Sequence, residues 1–463
     1  MSRLVVVSNR IAPISSNQPP SGGLAVALLE ALRGSGGLWF GWSGQISDNP
    51  AAEARMRQHN DFAVAEVDLT QDEYDQYYLG YSNGTLWPAF HYRLDLMTYS
   101  RAQLAGYLAV NRRFAVALKG ILQPDDIVWV HDYHLIPLAA ALRAEGIKNP
   151  IGFFLHIPVP AHEVMIGVPG HAVLMERLAS YDLVGLQTER DVTCLRDYIT
   201  REGTGTVREE GWIEAYGRRF RAASFPISIE TETIAQQATK LDEALEATRL
   251  RRNLADRRLM IGVDRLDYSK GLTLRFEAFE DLLATHPRFR NQVSLMQIAP
   301  PTRSELHQYQ HIKEELERNT GRINGAYAEY DWMPIHYINR AYSRDNLVAF
   351  FRSSAVGLVT PLRDGMNLVA KEYVAAQNPE KPGVLVLSRF AGAAEEMDGA
   401  LIVNPFNIQS VSDALARALD MSLDERRERY ESMIKRLRAW DIDTWCTAYQ
   451  NMLKNTLPAM GSP

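Results

Sequence analysis

Apolar segments of strand length alternate with longer helical segments along the chain, and this alternation constrains the fold more than any other feature. In the first half, the predicted strands are Leu4–Ser8, Leu38–Gly41, Ala63–Val67, Ile127–His131, Ile151–His156 and Leu183–Gln187. The helices predicted between them include Gly23–Arg33, Arg101–Ile121 and Ile136–Glu145. Strands that alternate with helices predict an α/β architecture built on parallel sheets.

A second series of the same kind starts after Pro226. Its predicted strands are Leu259–Val263, Val293–Ile298, Ala326–Glu329, Ala355–Val359, Val384–Leu387 and Leu401–Val403. Its predicted helices are Thr273–Thr285, Arg303–Thr320, Asp345–Ser353, Val369–Gln377 and Val411–Met421. A length of 463 residues also suggests two domains. We therefore expect two Rossmann-like, doubly wound domains that face each other across a cleft, with a hinge near Ile229–Gln236.

Composition excludes several classes of protein. The net charge of −6 argues against a nucleic-acid binder. No apolar run reaches the roughly 18 residues that span a membrane. Residues 1–8 are typical of a first buried strand rather than a signal peptide, so a cytoplasmic protein is expected. The two cysteines, Cys194 and Cys446, allow neither a disulfide framework nor a cysteine-based zinc cluster.

The segment from Thr360 to Glu372 has the features of a phosphate site. It follows the apolar run Ala355–Val359, turns at Asp364-Gly365 and then begins a helix. Free backbone N–H groups and the positive end of the helix dipole attract phosphate at such a point. Glu372 lies one turn beyond Leu368 on the same helix face and suits a ribose hydroxyl pair. An ordinary βα turn with a solvated aspartate fits the pattern equally well.

Polar side chains also follow the predicted strands of the first half. Arg10 ends the first strand, and a glycine-containing loop reaches Gly22-Gly23 before a helix. Two later strands end in polar groups, which are His131, Asp132, His134 and His156. Together they predict one wall of a crevice. Metal binding by these four residues is the competing interpretation, but they lack the paired spacing of a helical metal motif.

In the second half, Arg265 and Lys270 lie between a strand and a helix, and Arg303 follows the next strand. Two cations beside a departing diphosphate would stabilise the charge that develops on it. A surface loop with a salt bridge to Asp264 or Asp267 is the structural alternative.

These residues together resemble glycosyltransferase family 20, the retaining enzymes that make trehalose 6-phosphate, and among them the bacterial single-activity members. The resemblance runs from Arg3 to Pro405. The segments that carry it include 3–10, 22–24, 36–44, 86–92, 131–135, 153–158, 263–271, 360–372 and 401–405.

The resemblance implies a GT-B fold and transfer of glucose from UDP-glucose to glucose 6-phosphate, with no metal or other cofactor. The implied donor-binding residues are Gly22, Gly23, Arg265, Lys270, Tyr342, Asp364, Gly365, Met366, Asn367, Leu368, Val369, Ala370, Lys371 and Glu372. The implied acceptor-binding residues are Arg10, Tyr78, Trp87, Asp132 and Arg303. The implied catalytic residues are Asp132, His156, Arg265, Lys270 and Asp364.

The resemblance also implies an acceptor-binding domain over residues 1–232, a nucleotide-sugar domain over 233–440 and a final helix, 441–463, that crosses back to the first domain. It implies a cytoplasmic enzyme of trehalose biosynthesis, active in osmotic stress, that forms a homodimer or homotetramer without nucleic-acid or membrane partners. Alternatives that stay open are another nucleoside diphosphate glucose, another phosphorylated acceptor and a non-catalytic sugar-phosphate sensor. A Rossmann dehydrogenase is weakened because no G-x-G-x-x-G follows the first strand.

Overall fold

The computed structural model describes residues 2–12, 28–29, 32, 36–59, 61–242, 245–254, 256–303 and 305–456. The chain divides into two compact units. Unit 1 comprises Met1–Pro226 together with Asp443–Pro463, and unit 2 comprises Ile227–Ile442. Both are α/β units built on sheets whose central strands are parallel, which is the architecture predicted from the sequence.

The described part of unit 1 forms one ten-stranded sheet in the order β3-β4-β2-β1-β5-β6-β7-β10-β9-β8. The strands are β1 Leu4–Arg10, β2 Leu38–Ile46, β3 Arg55–His59, β4 Phe62–Leu69, β5 Ile127–His131, β6 Ile151–Phe154, β7 Leu183–Leu186, β8 Thr206–Val207, β9 Trp212–Ala215 and β10 Arg218–Ser224. The central strands pair in parallel, whereas β3, β8 and β9 add antiparallel edges. The core centres on β1, where Val5, Val6 and Val7 are fully buried.

The helices of unit 1 cover the parallel strands. A continuous helical run over 71–90 consists of Gln71–Glu73, the π-helix Tyr74–Leu86 and Trp87–Phe90. The later α-helices are α1 Arg101–Lys119, α2 Leu138–Ala144, α3 His162–Met165, α4 His171–Leu178 and α5 Glu189–Arg201. Short 3₁₀ turns occupy Leu94–Leu96, Tyr133–Leu135 and Glu209–Gly211.

The described part of unit 2 contains a six-stranded parallel sheet in the order β13-β12-β11-β14-β15-β16. Its strands are β11 Arg258–Val263, β12 Val293–Ile298, β13 Ile335–Ile338, β14 Val356–Val359, β15 Val384–Ser388 and β16 Leu401–Val403. Its helices are α6 Thr231–Lys240, α7 Leu245–Leu254, α8 Leu272–Thr285, α9 His307–Tyr327, α10 Arg344–Arg352, α11 Leu368–Ala376, α12 Ile408–Asp420 and α13 Leu423–Ala439. Short 3₁₀ turns occupy Tyr268–Lys270, Pro287–Phe289 and Gly392–Glu395.

One predicted strand is wrong. Residues 326–329 fall at the end of α9, which extends to Tyr327, and the strand that completes this side of the sheet is β13, Ile335–Ile338. The reason is that β13 lies at the sheet edge, where only Ile335 is buried, so its residues carry a weak apolar signal.

The last helix, α14 Ile442–Lys454, packs within unit 1. The Tyr449 ring stacks on Trp129 with centroids 4.5 Å apart, and the Trp445 Nε1 donates to the Phe225 carbonyl at 3.0 Å. Glycines on β6 and β7 make room for Tyr449, because a Cβ at Gly152 would lie 2.4 Å from the tyrosine oxygen. Glycine at positions 152 and 185 thus leaves room for this helix on the face of the sheet.

Candidate active site

Strand order determines where polar side chains gather in unit 1. Strand β1 pairs with β2 on one side and with β5 on the other, so the direction of chain progression reverses between β1 and β5. In open α/β sheets, ligands bind beyond the carboxyl ends of the strands at such a reversal. Arg10 ends β1 and Asp132 follows β5, so both stand at this point.

Aromatic rings surround the end of β1. The Arg10 guanidinium carbon lies 5.4 Å from the Trp42 ring centroid, and Trp42 contacts Tyr78 with centroids 5.9 Å apart. The Tyr78 ring is nearly parallel to that of His134, with an interplanar angle of 10° and centroids 5.8 Å apart. Rings and a cation in this arrangement offer apolar faces and a positive charge, which suit a sugar phosphate.

Tyr78 and Trp87 belong to the helical run over 71–90. Tyr78 is in its π-helical part, a rare conformation that often marks functional sites. Trp87 is 4% exposed and packs against His91 and Tyr133, with ring centroids 4.1 and 5.7 Å away. Tyr78 is partly exposed, so the structure presents its ring more openly than that of Trp87.

Asp132 and His156 lie side by side after β5 and β6. Asp132 has a φ of 77°, which is unusual for a residue other than glycine, and its Oδ1 accepts a hydrogen bond from the His156 backbone N–H at 3.3 Å. The His156 Nε2 is 3.1 Å from the Nδ1 of fully buried His131. Burial lowers the pKa of His156 to about 3 and lowers that of His131 well below its usual value, so both rings are neutral near pH 7.

Strand order also determines where polar side chains gather in unit 2. Progression reverses between β11 and β14, so the loops after these strands meet. Lys270, from the first loop, places its Nζ 2.5 Å from Oδ2 of Asp364, from the second. The same Oδ2 accepts a hydrogen bond from the Asn367 amide at 3.0 Å. The structure thus brings the predicted residues Lys270, Asp364 and Asn367 into one cluster.

Helix α11 begins directly beside this cluster. The left-handed residue that starts it is Asn367, with a φ of 78°, rather than Gly365, where the sequence placed the turn. The Asn367 side chain accepts the N–H of Ala370, and the N–H groups in a first helical turn otherwise lack partners within the helix. Leu368 and Val369 are partly exposed in this turn, whereas Met366 is buried.

Two charged residues of α11 behave differently. Lys371 is fully buried, and its Nζ contacts Glu396 at 2.6 Å and the Ile227 carbonyl at 2.7 Å. Its side chain thus lies in the interior of unit 2 and forms its polar contacts there. Glu372 is partly buried. Burial raises the pKa of Glu372 to about 7, against the opposing charge of Arg344.

The other predicted residues of unit 2 occupy separate settings. Arg265 is exposed. The Arg303 Nη1 contacts Tyr309 at 2.6 Å and the buried carboxylate of Asp267 at 3.2 Å. The Tyr342 hydroxyl accepts a hydrogen bond from Arg340 at 3.0 Å. The salt bridge to Asp267, which was the structural alternative for Arg265 and Lys270, is thus made by Arg303.

The predicted donor-binding residues Gly22 and Gly23 are outside the described residues. Among the described residues, no group of three or more His, Cys, Asp or Glu side chains is placed to hold a metal ion. In the same part of the chain, no helix is both long and apolar enough to cross a membrane.

Sequence reasoning missed a buried arginine next to the Lys270 cluster. The Arg275 side chain is 0% exposed, and its Nη1 contacts Asp264 at 2.7 Å. The sequence shows an arginine within a predicted helix, but it does not reveal that this position is buried. Trp42, which contacts Tyr78, occurred in a predicted motif but was given no role, whereas His134, on the other side of Tyr78, was predicted as part of the crevice wall.

Comparison with known proteins decides the family. The family model of Glycosyltransferase family 20 matches residues 3–455. The chain belongs to this family. A curated trehalose-6-phosphate synthase from Sinorhizobium fredii is 49% identical over 457 residues, which cover 98% of each chain. The chain is therefore a glycosyltransferase.

Solved structures agree with this assignment. A UDP-forming α,α-trehalose-phosphate synthase from Burkholderia xenovorans, in complex with glucose 6-phosphate, is 52% identical and superposes with a TM-score of 0.95 over 98% of this chain and 100% of its own. An Escherichia coli structure bound with UDP-2-fluoro glucose is 46% identical, with a TM-score of 0.92 over 99% of this chain and 100% of its own. The expected GT-B fold is thereby confirmed.

Proposed function

We propose that this protein transfers glucose from UDP-glucose to glucose 6-phosphate, with retention at the anomeric carbon, and releases α,α-trehalose 6-phosphate and UDP. The observation that carries the proposal is the nearly complete match to trehalose-6-phosphate synthases. Related structures hold glucose 6-phosphate in one case and UDP-2-fluoro glucose in another.

Unit 2 is the proposed donor site. Arg265 and Lys270 neutralise the diphosphate, assisted by the N–H groups at the start of α11. Asp364 accepts hydrogen bonds from the hydroxyls of the donor glucose, and its contact with Lys270 holds it in place. Glu372 accepts hydrogen bonds from the ribose. Gly22 and Gly23, backbone groups of 365–371 and the Tyr342 ring, beside the uracil, complete this assignment.

Unit 1 is the proposed acceptor site, since Arg10 and Tyr78 bind the phosphate of glucose 6-phosphate beside Trp87. Asp132 binds the sugar, and His156 lies near the reacting carbon. Arg303 is the third proposed ligand of the phosphate. The His156 backbone N–H donates to Asp132 Oδ1 at 3.3 Å, which holds the Asp132 carboxylate beside His156.

Charge decides how such a site works. Donor and acceptor each carry about two negative charges, and like charges 4 Å apart repel by about 4 kcal/mol at an effective dielectric constant of 20. The net charge of this protein is −6, so the offsetting cations have to be local. Arg10, Arg265, Lys270 and Arg303 supply them, and fixed cations and amides also stabilise the departing UDP.

Retention follows from a front-face reaction in this proposal. The bond from the anomeric carbon to the diphosphate oxygen breaks first and leaves an ion pair. The acceptor hydroxyl then attacks from the same face and gives its proton to the departing phosphate oxygen. Trapping tests this step: Asp132→Asn and His156→Gln should yield no covalent glycosyl-protein with UDP-2-fluoro glucose. An adduct at either residue in the parent protein would overturn the front-face step.

The activity itself is tested by coupled nucleotide release. UDP-, GDP- and ADP-glucose are supplied in turn, with and without glucose 6-phosphate, and release is expected to depend on the acceptor and to be fastest with UDP-glucose. Lys270→Ala should lower the rate of transfer on the order of 10²-fold or more. Absence of acceptor-dependent release with every donor would refute the function.

The cellular setting belongs to the same proposal. The enzyme acts in the cytoplasm, in trehalose synthesis under osmotic stress, as a homodimer or homotetramer and without a metal. Size-exclusion chromatography with light scattering measures its assembly, and dialysis against a chelator followed by the transfer assay measures metal dependence. A monomer would contradict the proposed assembly. Loss of transfer that is restored by added metal would contradict the proposed metal independence.

A further inference from the structure

Arg275 is a buried charge that the proposed reaction leaves unexplained. Its side chain is 0% exposed, in the first turn of α8, five residues after Lys270. An ionised group taken out of water destabilises the fold unless other groups compensate it fully. Its partners therefore indicate what the residue does.

Those partners come from three adjacent strands and from the Lys270 turn. The Arg275 Nη1 donates to Asp264 Oδ2 at 2.7 Å and to Gln297 Oε1 at 2.8 Å, and its Nε donates to Thr360 Oγ1 at 3.0 Å. The Nη2 points to the Lys270 carbonyl at 3.4 Å. Asp264 follows β11, Gln297 is in β12 and Thr360 follows β14, so one guanidinium joins the ends of three neighbouring strands.

A glycine in β11 supports this arrangement independently. A Cβ at Gly262 would lie 2.5 Å from the Arg275 Nη1 and 2.4 Å from Gln297 Oε1. Glycine weakens a strand interior and often marks a place where another group approaches closely. The central strand of this sheet thus lacks a side chain where the guanidinium sits.

We propose that Arg275 is a positioning residue for the donor site: through the Lys270 carbonyl and through Thr360, it holds the two loops that bring Lys270 and Asp364 together. The inference rests on the proposed donor role of Lys270. A planar guanidinium reaches four acceptors in fixed directions, whereas a lysine ammonium is a point charge on a flexible stem. Arg275→Lys therefore keeps the charge but loses the bridging.

The mildest test is Gly262→Ala, which pushes on the guanidinium but removes no charged group. It should lower kcat by roughly tenfold and raise the KM for UDP-glucose, because small displacements of positioned groups have large kinetic effects. The KM for glucose 6-phosphate should change by less than the KM for UDP-glucose, since two of its three proposed phosphate ligands, Arg10 and Tyr78, are in unit 1. Arg275→Lys should show the same pattern with a larger loss of kcat, on the order of 10²-fold.

Gly205→Ala is the matched control. Gly205 lies just before β8 in unit 1, and its added Cβ would lie 2.5 Å from Ile199 Cγ2 and 2.8 Å from Ala215 Cβ. It should lower the thermal midpoint as Gly262→Ala does but leave the kinetic constants near those of the parent. If Arg275 only stabilised the fold, both glycine variants would lose stability and neither would change kcat or the KM for UDP-glucose. That result would overturn the proposal.

Hydrogen exchange separates failure of this inference from failure of the proposed function. Amide exchange over Ser269–Gly271 should be faster in Arg275→Lys than in the parent, even if the parent protein transfers no glucose. Unchanged exchange in this turn would overturn the positioning role, whatever the activity. Acceptor-dependent transfer in the parent protein is read separately and bears only on the proposed function.

Discussion

At the scale of single residues, the neutral histidines restrict the chemistry of unit 1. His131 and His156 face each other at 3.1 Å, and burial holds the pKa of both far below the usual value for histidine. A neutral imidazole donates or accepts a hydrogen bond but provides no positive charge near pH 7. The positive charge at this site of unit 1 therefore comes from Arg10, at the carboxyl end of β1, and not from these two histidines.

The first prediction concerns stability in acid. In the unfolded chain, His156 takes up a proton near its ordinary pKa of 6.5, whereas in the folded protein it does so only near 3. Because the unfolded state then binds more protons, the free energy of unfolding should decrease as the pH falls below about 6.5, by up to about 1.4 kcal/mol per pH unit. Urea unfolding at two pH values measures how much the free energy of unfolding decreases in acid. This decrease should be smaller in His156→Gln than in the parent.

His311→Gln, at an exposed position, is the control and should retain the full loss of stability in acid. Equal acid sensitivity of His156→Gln and the parent would contradict the neutral-histidine interpretation.

The second prediction concerns Glu372, whose pKa burial raises to about 7. A folded-state pKa above the unfolded value of 4.5 gives stability that is fully present below pH 4.5 and is lost as the pH rises through about 7. In the proposed donor site the ionised Glu372 carboxylate accepts hydrogen bonds from the ribose, so the affinity for UDP-glucose should increase over the same rise. Calorimetric titrations at several pH values should show this slope in the parent and a flatter one in Glu372→Gln. Equal slopes in the two proteins would exclude Glu372 as the titrating group.

At the scale of elements, sequence predicted best where apolar strands are largely buried. Strands β5, β12 and β16 have the predicted bounds because most of their residues are apolar, and all of them except Ile402 of the edge strand β16 are buried. The edge strand Arg55–His59 was missed, since it is largely exposed and its residues show no apolar pattern. The loops after β11 and β14 were predicted correctly as polar strand ends, but pairing Lys270 with Asp364 required the strand order.

The π-helix Tyr74–Leu86 was not predicted, because this type of helix is rare and no sequence pattern marked it. Two of its glycines are pressed against other parts of unit 1. A Cβ at Gly80 would lie 2.7 Å from Gln103 Cγ of α1, and one at Gly84 would lie 2.7 Å from Thr98 Oγ1. The close approach of these neighbours is therefore part of what shapes the helix that carries Tyr78.

The third prediction tests this packing with Gly80→Ala. The added methyl group would also meet the Asp75 carbonyl at 2.8 Å, so the helix has to shift near Tyr78. The KM for glucose 6-phosphate should rise several-fold, while the KM for UDP-glucose stays within about twofold. Gly120→Ala is the control, because its nearest neighbour would be 3.6 Å away. If Gly80→Ala leaves the acceptor KM at the parent value, the helix does not position Tyr78 in the way proposed.

At the scale of the whole molecule, the chain leaves unit 1 at Pro226, forms unit 2 and returns to unit 1 from Asp443 onward. The returning helix adds fully buried Trp445, Tyr449 and Leu453 to the core of unit 1. Residues more than 200 positions apart in sequence thus complete one core, as the Trp445 bond to Phe225 illustrates. We therefore expect the stability of unit 1 to depend on the last part of the chain.

The fourth prediction tests this dependence with Trp445→Ala. Removing a fully buried tryptophan should lower the free energy of unfolding of unit 1 by about 3–5 kcal/mol. Two-unit proteins often unfold in more than one step, so urea unfolding should show an earlier transition for unit 1, while UDP binding, assigned to unit 2, persists between the transitions. Thr447→Ala, exposed on the same helix, should leave both transitions in place. A single transition in which UDP binding is lost together with the unit 1 signal would mean that unit 2 depends on α14 as much as unit 1 does.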